Sequence, residues 1–195
     1  MKKRILSLFL AVCGLSATAQ KSSWSLDPVH SNVKFTVVHM MVSEMDGSFK
    51  VYDGKVEASS DDFNNASIDF SVDVNSIDSD NDMRDKHLKA DDFFNAEKYP
   101  KMTFKSTSFK KVSDKKYELI GDLTIRDVTK KVTFDVAYNG TQKDPYGNIK
   151  AGFKAKGTIN RKDFKLMWGP VTETGGVVVS DEVDITINAA FAKNK

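Results

Sequence analysis

Ile68-Asp69-Phe70-Ser71-Val72-Asp73-Val74-Asn75 alternates apolar and polar side chains without a break, the period of a strand with one face buried. The alternation stops at Arg84-Asp85-Lys86-His87-Leu88-Lys89-Ala90-Asp91-Asp92-Phe93-Phe94-Asn95-Ala96-Glu97-Lys98-Tyr99-Pro100 and resumes at Lys101-Met102-Thr103-Phe104-Lys105. The interruption reads as one short helical insert, with Asp80 or Asp82 as its cap. A helix carrying an arginine, a histidine and a Phe-Phe pair among half-buried strands suits a β-barrel with a lid. Such a barrel either encloses a ligand or is filled by its own side chains.

The same period recurs on both sides. Val33, Phe35 and Val37 alternate up to His39, and a strand follows over residues 47–58, with Gly54 suggesting a bulge or bend. Between them, residues 40–46 place Met41, Val42 and Met45 at loosely helical spacing, which predicts a short helical turn. Leu119, Gly121, Leu123 and Ile125 alternate further on, then Val132, Phe134, Val136 and Tyr138, then Ala151, Phe153 and Ala155, and finally Val183, Ile185 and Ile187. Asn139-Gly140 and Tyr146-Gly147-Asn148 read as hairpin turns. About eight strands joined by short turns, without βαβ spacing, predict an all-β, eight-stranded antiparallel barrel; a two-sheet sandwich is the rival. Small residues on the inward series (Gly121, Ala151, Ala155, Gly157) leave room for a tunnel unless neighbouring rings take it, and a large residue at Gly121 or Ala155 is expected to block it.

Residues 1–19 have a basic start (Lys2-Lys3-Arg4), an apolar core and an Ala17-Thr18-Ala19 end, the pattern of a secretory signal peptide. A single domain is expected over residues 20–195, periplasmic or secreted. Cleavage would remove three basic residues and no acidic one, taking the net charge from +2 to −1 and leaving no field on the scale that nucleic acid requires. It would also remove Cys13, the single cysteine, and with it any thiol nucleophile or thiolate ligand. Catalysis finds little else. There is no G-x-S-x-G elbow and no G-K-[ST] phosphate loop, and His30, His39 and His87 lack metal-ligand spacing. Arg84, Arg126 and Arg161 are the only arginines after residue 19, and ion pairs with Asp85, Asp127 and Asp163 are their ordinary structural explanation.

The motifs D-P-V-H-S (27–31), F-T-V-V-H (35–39), G-S-F (47–49), the insert with its Tyr99-Pro100 end, G-D-L-T-I-R-D-V-T (121–129), I-N-R-K-D-F (159–164) and T-G-G-V-V-V-S-D-E-V (174–183) occur in order along nearly the whole chain. Together they resemble the YceI-like family of exported, lipocalin-like proteins. Asp127, Lys131 and Lys165 depart from it, standing where the family often has glycine, proline and glycine. The resemblance implies an extended eight-stranded barrel whose apolar tunnel binds a polyisoprenoid or similar amphipathic lipid, such as an isoprenoid quinone or prenyl pyrophosphate. No catalysis and no required cofactor are implied. It makes Phe35, Val37, Phe70, Val72, Phe104, Leu123, Phe134 and Phe153 candidate tunnel lining. His30, His39, Arg84, His87, Arg126 and Arg161 become candidates for the polar mouth or for holding the insert. Transient membrane contact and a homodimer are compatible with that reading, and nucleic acid is not an expected partner. A fatty-acid or fatty-amide barrel, or a His-dependent metal or quinone enzyme, are the alternatives.

Overall fold

A computed structural model describes residues 21–170 and 176–195. The expected leader, and residues 174 and 175 of the last motif, lie outside the described residues. Eleven strands occur among the described residues: β1 Ser22–Leu26, β2 Asn32–His39, β3 Ser43–Phe49, β4 Tyr52–Ala58, β5 Ser67–Asp73, β6 Ile77–Asp78, β7 Lys101–Ser113, β8 Lys116–Ile125, β9 Val128–Lys143, β10 Ile149–Asn160 and β11 Glu182–Lys193. One helix, α1 Asp82–Leu88, is the helical part of the insert.

Eight of these strands form a closed antiparallel ring in the order β1-β4-β5-β7-β8-β9-β10-β11, sealed by Trp24 pairing with Lys193 and Leu26 with Phe191. Closure rules out the sandwich. The other three branch from the ring, because β11 forks: Phe191, Ala192 and Lys193 pair with β1, while Asp184 to Asn188 pair with β2, followed by β3 and β6. The D-P-V-H-S motif makes the fork. Asp27 N donates to Ala190 O (2.8 Å), Ser31 Oγ accepts from Ala190 N (3.0 Å), and the Pro28–His30 3-10 turn between them redirects the chain from β1 to β2 along the same neighbour. The barrel is therefore closed by β1 at one end and extended by the β2–β3 hairpin at the other.

Two packed regions follow the axis. At the β1 end, the loop between β4 and β5 turns Phe63 inward, 1% exposed, against Trp24 (ring centroids 5.1 Å), Phe153 (5.1 Å) and Tyr138 (5.5 Å). Asn65 N to Phe109 O (2.8 Å) and the Tyr117 hydroxyl on Asp62 O tie this plug to β7 and β8. At the other end, Val33, Phe49, Phe93, Phe164 and Leu166 pack the insert and the β2–β3 extension onto the barrel.

Several local expectations are corrected. Residues 40–42 form no helical turn. Val42 N donates to His39 O (3.1 Å), and Met40 and Met41 have φ of 53° and 61°, so a tight hairpin turn leads directly into β3. The strand expected over residues 47–58 is broken between Phe49 and Tyr52. Gly54 is not a bulge: β4 and β5 pair without a shift, and a Cβ there would meet Phe70 Cδ2 at 2.7 Å. Asn139-Gly140 is not a turn but lies within β9, where the register to β10 shifts opposite Gly152 and Phe153 and Gly140 has φ 110°. The helix cap is Asn81, whose side chain accepts from Arg84 N (2.9 Å); Asp82 falls within the first turn and Asp80 before it. Gly121 is no tunnel surface, since a Cβ would meet Phe104 Cζ at 2.3 Å and Lys105 O at 2.5 Å. There the neighbouring ring takes the room.

Candidate functional site

The barrel axis holds a cavity of about 420 Å³, within the roughly 300–1,000 Å³ common for small-molecule sites. Its wall follows from period two, because alternate residues of β2, β5 and β7 to β11 point inward. From the strands, Phe35 and Val37 come from β2, Phe70 and Val72 from β5, Phe104 from β7, Leu123 from β8, Phe134 from β9 and Phe153 from β10, all on the cavity wall. Ala155, Ile185 and Ile187 share that wall. The floor is aromatic: Phe109, Phe153 and Phe191, with the Phe63 plug beneath.

Polar groups gather at the opposite end. His39, Arg84, His87 and Arg161 line the mouth together with Asp46 and Ser79. Arg84, from α1, gives Nε to Ser79 Oγ (2.8 Å) and Nη2 to Ser79 O, while Nη1 faces only the weak acceptor Met45 Sδ at 3.8 Å. Asp85 does not pair with Arg84 directly; its Oδ1 accepts from Ser79 N (2.9 Å) and Ser79 Oγ (2.5 Å), which fixes the hydroxyl that receives Arg84. His87 Nε2 lies 3.0 Å from Asp92 Oδ2, and its ring meets Trp168 edge-on at 5.0 Å and Phe93 at 6.0 Å. This contact joins the insert to the segment following Arg161.

Arg161 is almost wholly buried (2%) and organises that segment. Its guanidinium donates to Leu166 O (2.6 Å), Trp168 O (2.5 Å) and Ser180 O (2.9 Å), and pairs with Asp181 Oδ1 (3.2 Å) rather than with Asp163. Burial lowers its pKa, partly offset by the Asp181 charge. With its donors directed to backbone carbonyls, Arg161 shapes the mouth more than it offers a free charge.

The other two polar candidates stand off the cavity wall. His30 projects outward (side chain 66% exposed) because Asp27 holds its Nδ1 at 2.8 Å in the fork turn. The Lys150 ammonium, 2.5 Å from Asp27, with help from His30, holds that carboxyl down at about 2. Arg126 sits in the β8–β9 turn at φ 55° and fastens the insert from outside, donating to Phe93 O (2.9 Å) and Lys165 O (3.1 Å) with its guanidinium over the Tyr99 ring. Asp127 does not pair with it but with Lys165 (2.8 Å), so two departures from the family pattern bond each other. Lys165 has φ 62°, a conformation in which glycine is the easy residue.

Trp168, Phe94 and Asp46 also line the cavity, and sequence reasoning did not single out Trp168 or Asp46. The available signal for Trp168 was the uncharged run Leu166-Met167-Trp168-Gly169-Pro170 in a chain of which 29% is charged. Among the described residues, no group of three or more His, Cys, Asp or Glu side chains is placed to hold a metal ion; His30, His39 and His87 make no such cluster.

Comparison with known proteins follows the same outline. A family model described as a YceI-like domain matches residues 24–191. A UPF0312 protein of Staphylococcus aureus is 37% identical over 172 residues, covering 88% of this chain and 98% of that protein. Among solved structures, BcnA of Burkholderia cenocepacia superposes with a TM-score of 0.74 at 25% identity, covering 85% of this chain and 98% of that one. A Campylobacter jejuni YceI protein gives 0.69 at 33%, covering 81% and 90%. A polyisoprenoid binding domain from Saccharophagus degradans, implicated in plant cell wall breakdown, gives 0.60 at 16%, covering 88% and 98%, and shares the fold.

Proposed function

The chain belongs to the YceI-like family, and from that premise we propose that it is a carrier or sequestering protein for one amphipathic lipid of the polyisoprenoid type. The tail lies along the barrel axis and the head group at the Arg84–His87 mouth. The observation that carries this reading is the make-up of the cavity: a lining that is mostly aliphatic and aromatic, with Arg84, Ser79, Asp46 and His87 as a polar group contributed by the insert and its neighbours. A branched hydrocarbon tail needs no directional partner, and each buried CH₂ contributes about 0.8 kcal/mol. The head group needs a few placed donors. Arg84 Nη1, which has only a thioether beside it, is the donor best placed for a quinone carbonyl or a phosphate oxygen. The shared fold with a polyisoprenoid binding domain supports the lipid class. The roles of binding without catalysis, and of export by way of residues 1–19, belong to the same proposal.

The test is to express the chain from residue 20, purify it without detergent and analyse an organic extract beside native mass spectrometry. A stoichiometric isoprenoid lipid or quinone is expected. Ala155→Phe, which places a ring inside the cavity, is expected to keep the fold and lose the lipid. A fatty acid in the extract would move the reading to another amphiphile, and a protein that is empty and refuses added isoprenoids would overturn it.

A further inference from the structure

The mouth of the cavity is ringed by apolar side chains that the fold leaves in solvent. Met41 is 69% exposed and Val42 84%, at the tip of the β2–β3 hairpin, with Val38 and Met40 beside them at 40% and 44%. Met167 (60%) and Val177 (37%) continue the rim on the neighbouring segments. These pieces are one surface by hydrogen bonding: Met40 N donates to Val178 O (2.9 Å), Ser180 N to Val38 O (2.9 Å) and Val178 N to Pro170 O (3.2 Å). His39, Val178, Val179 and Trp168, drawn from the same segments, line the cavity, so the rim and the apolar interior are continuous.

The hairpin tip departs from the chemistry of the other tight turns. Ser113-Asp114-Lys115-Lys116 and Arg126-Asp127 join their strands with charged or polar residues, and Asp144-Pro145-Tyr146-Gly147-Asn148 sets one exposed tyrosine among turn-forming residues. His39-Met40-Met41-Val42 instead puts two methionines at the central positions, both with positive φ, where Asn-Gly is the favoured pair. That choice strains the backbone and exposes apolar surface at once, and neither serves the barrel's own packing. The three rim segments, residues 37–43, 166–170 and 176–180, contain no Asp, Glu, Lys or Arg.

We propose that this rim docks on a lipid bilayer, setting the hairpin tip among the acyl chains so that lipid enters and leaves the cavity without crossing water. The inference rests on the lipid-binding reading of the cavity. A bilayer fits better than a protein partner: the tip is a hairpin turn built from adaptable unbranched methionine, and it lacks the Tyr and Arg anchors that dominate protein interfaces. A second copy seated here would stopper the opening through which the cavity fills. Because these three described segments carry no charged side chain, their docking should draw on apolar burial and need no anionic lipid.

Met40→Asn/Met41→Gly tests this cleanly, because the substitution suits the turn better than the native pair and leaves every cavity-lining residue in place. Phosphatidylcholine vesicles, with and without phosphatidylglycerol, are floated with the protein at low and high salt. The unmodified protein is expected to float with both vesicle types at both salt levels. The variant is expected to keep or raise its thermal midpoint while its vesicle partitioning falls about tenfold or more, the loss anticipated for withdrawing two methionine side chains from hydrocarbon. Uptake of a polyprenol dispersed without vesicles should be unchanged, while uptake from vesicles slows. Equal flotation of the two proteins overturns the proposal, as does flotation only with anionic vesicles at low salt, or loss of a dimer in place of loss of vesicle binding. Flotation without polyprenol uptake from either source would leave the rim standing and refute the cavity reading instead.

Discussion

If Phe153 forms the floor of a tail-binding tunnel, Phe153→Ala should lengthen it. The ring is 8% exposed and packs between Phe63 (5.1 Å, perpendicular), Tyr138 (5.2 Å), Phe191 (6.2 Å) and Phe109 (6.4 Å), with its upper face on the cavity. Truncating such a ring in the empty protein costs about 3–5 kcal/mol. For a domain of this size that corresponds to a fall of roughly 6–20 °C in thermal midpoint. The vacated space is apolar and stays dry until something apolar fills it. One more isoprene unit brings five carbons, worth about 4 kcal/mol at 0.8 kcal/mol each if fully buried. With half of that recovered, preference for a tail one unit longer should rise by a factor on the order of thirty. The assay is competition between two polyprenols differing by one unit, read by native mass spectrometry, alongside thermal midpoints with each ligand. The longer homologue should restore more of the lost midpoint than the shorter. Trp24 touches Phe63 directly beneath, so in a Trp168→Phe background its fluorescence reports on the floor independently. A folded variant with the native length preference would refute the placement of the floor at Phe153.

Two further outcomes concern what holds the site. Arg161→Met keeps the volume but orphans the carbonyls of Leu166, Trp168 and Ser180 and leaves Asp181 without its buried partner; a loss of about 3–5 kcal/mol is expected, with faster proteolysis near the mouth, and an unchanged urea midpoint would show that the arginine is not structural. Asp27 is held at about 2 in the folded chain, chiefly by the Lys150 hydrogen bond, against 3.8 for the free side chain. A depressed carboxylate stabilises the fold above its unfolded pKa, and that contribution is lost as pH falls through the folded value. Asp27→Asn should therefore cost about 1–2 kcal/mol at neutral pH after screening, and the gap to the native protein should shrink between about pH 4 and pH 2 in urea titrations. A gap independent of pH would refute the assignment.

The strands were legible because the side chains of a half-buried strand must alternate, and nothing else in the chain imitates that period for long. The inward face comes with them: Phe35, Phe70, Phe104, Phe134 and Phe153 follow from alternation and the family resemblance, and all lie on the cavity wall. The turns were less legible, since turn chemistry is a preference that the native chain overrides. Met40-Met41 has the composition of a helix and the φ values of a hairpin turn. Asn139-Gly140 has the composition of a turn and the pairing of a bulge. The polar candidates divided for a different reason. Arg126 and Arg161 each follow a strand, yet one clamps the insert from outside and the other is buried under the mouth, and only the long-range path of β11 past β2 and β10 decides which.

Period two fixes the face a residue occupies but not its height along the barrel, and function here depends on height. Phe153 on the floor and Phe35 nearer the mouth obey the same alternation. What separates them is the plug, and the plug comes from Phe63, the single apolar side chain in the run Ser59-Ser60-Asp61-Asp62-Phe63-Asn64-Asn65. Composition reads that run as a solvated loop. The aromatic ring makes it an anchor, because a loop with that many backbone hydrogen-bonding partners at the barrel end can turn one large side chain inward at little further cost. In this chain an isolated Phe in an otherwise polar loop, just before β5, is therefore the sequence sign of the closed end. The Met-Met-Val tip, left in solvent, is its counterpart at the other end.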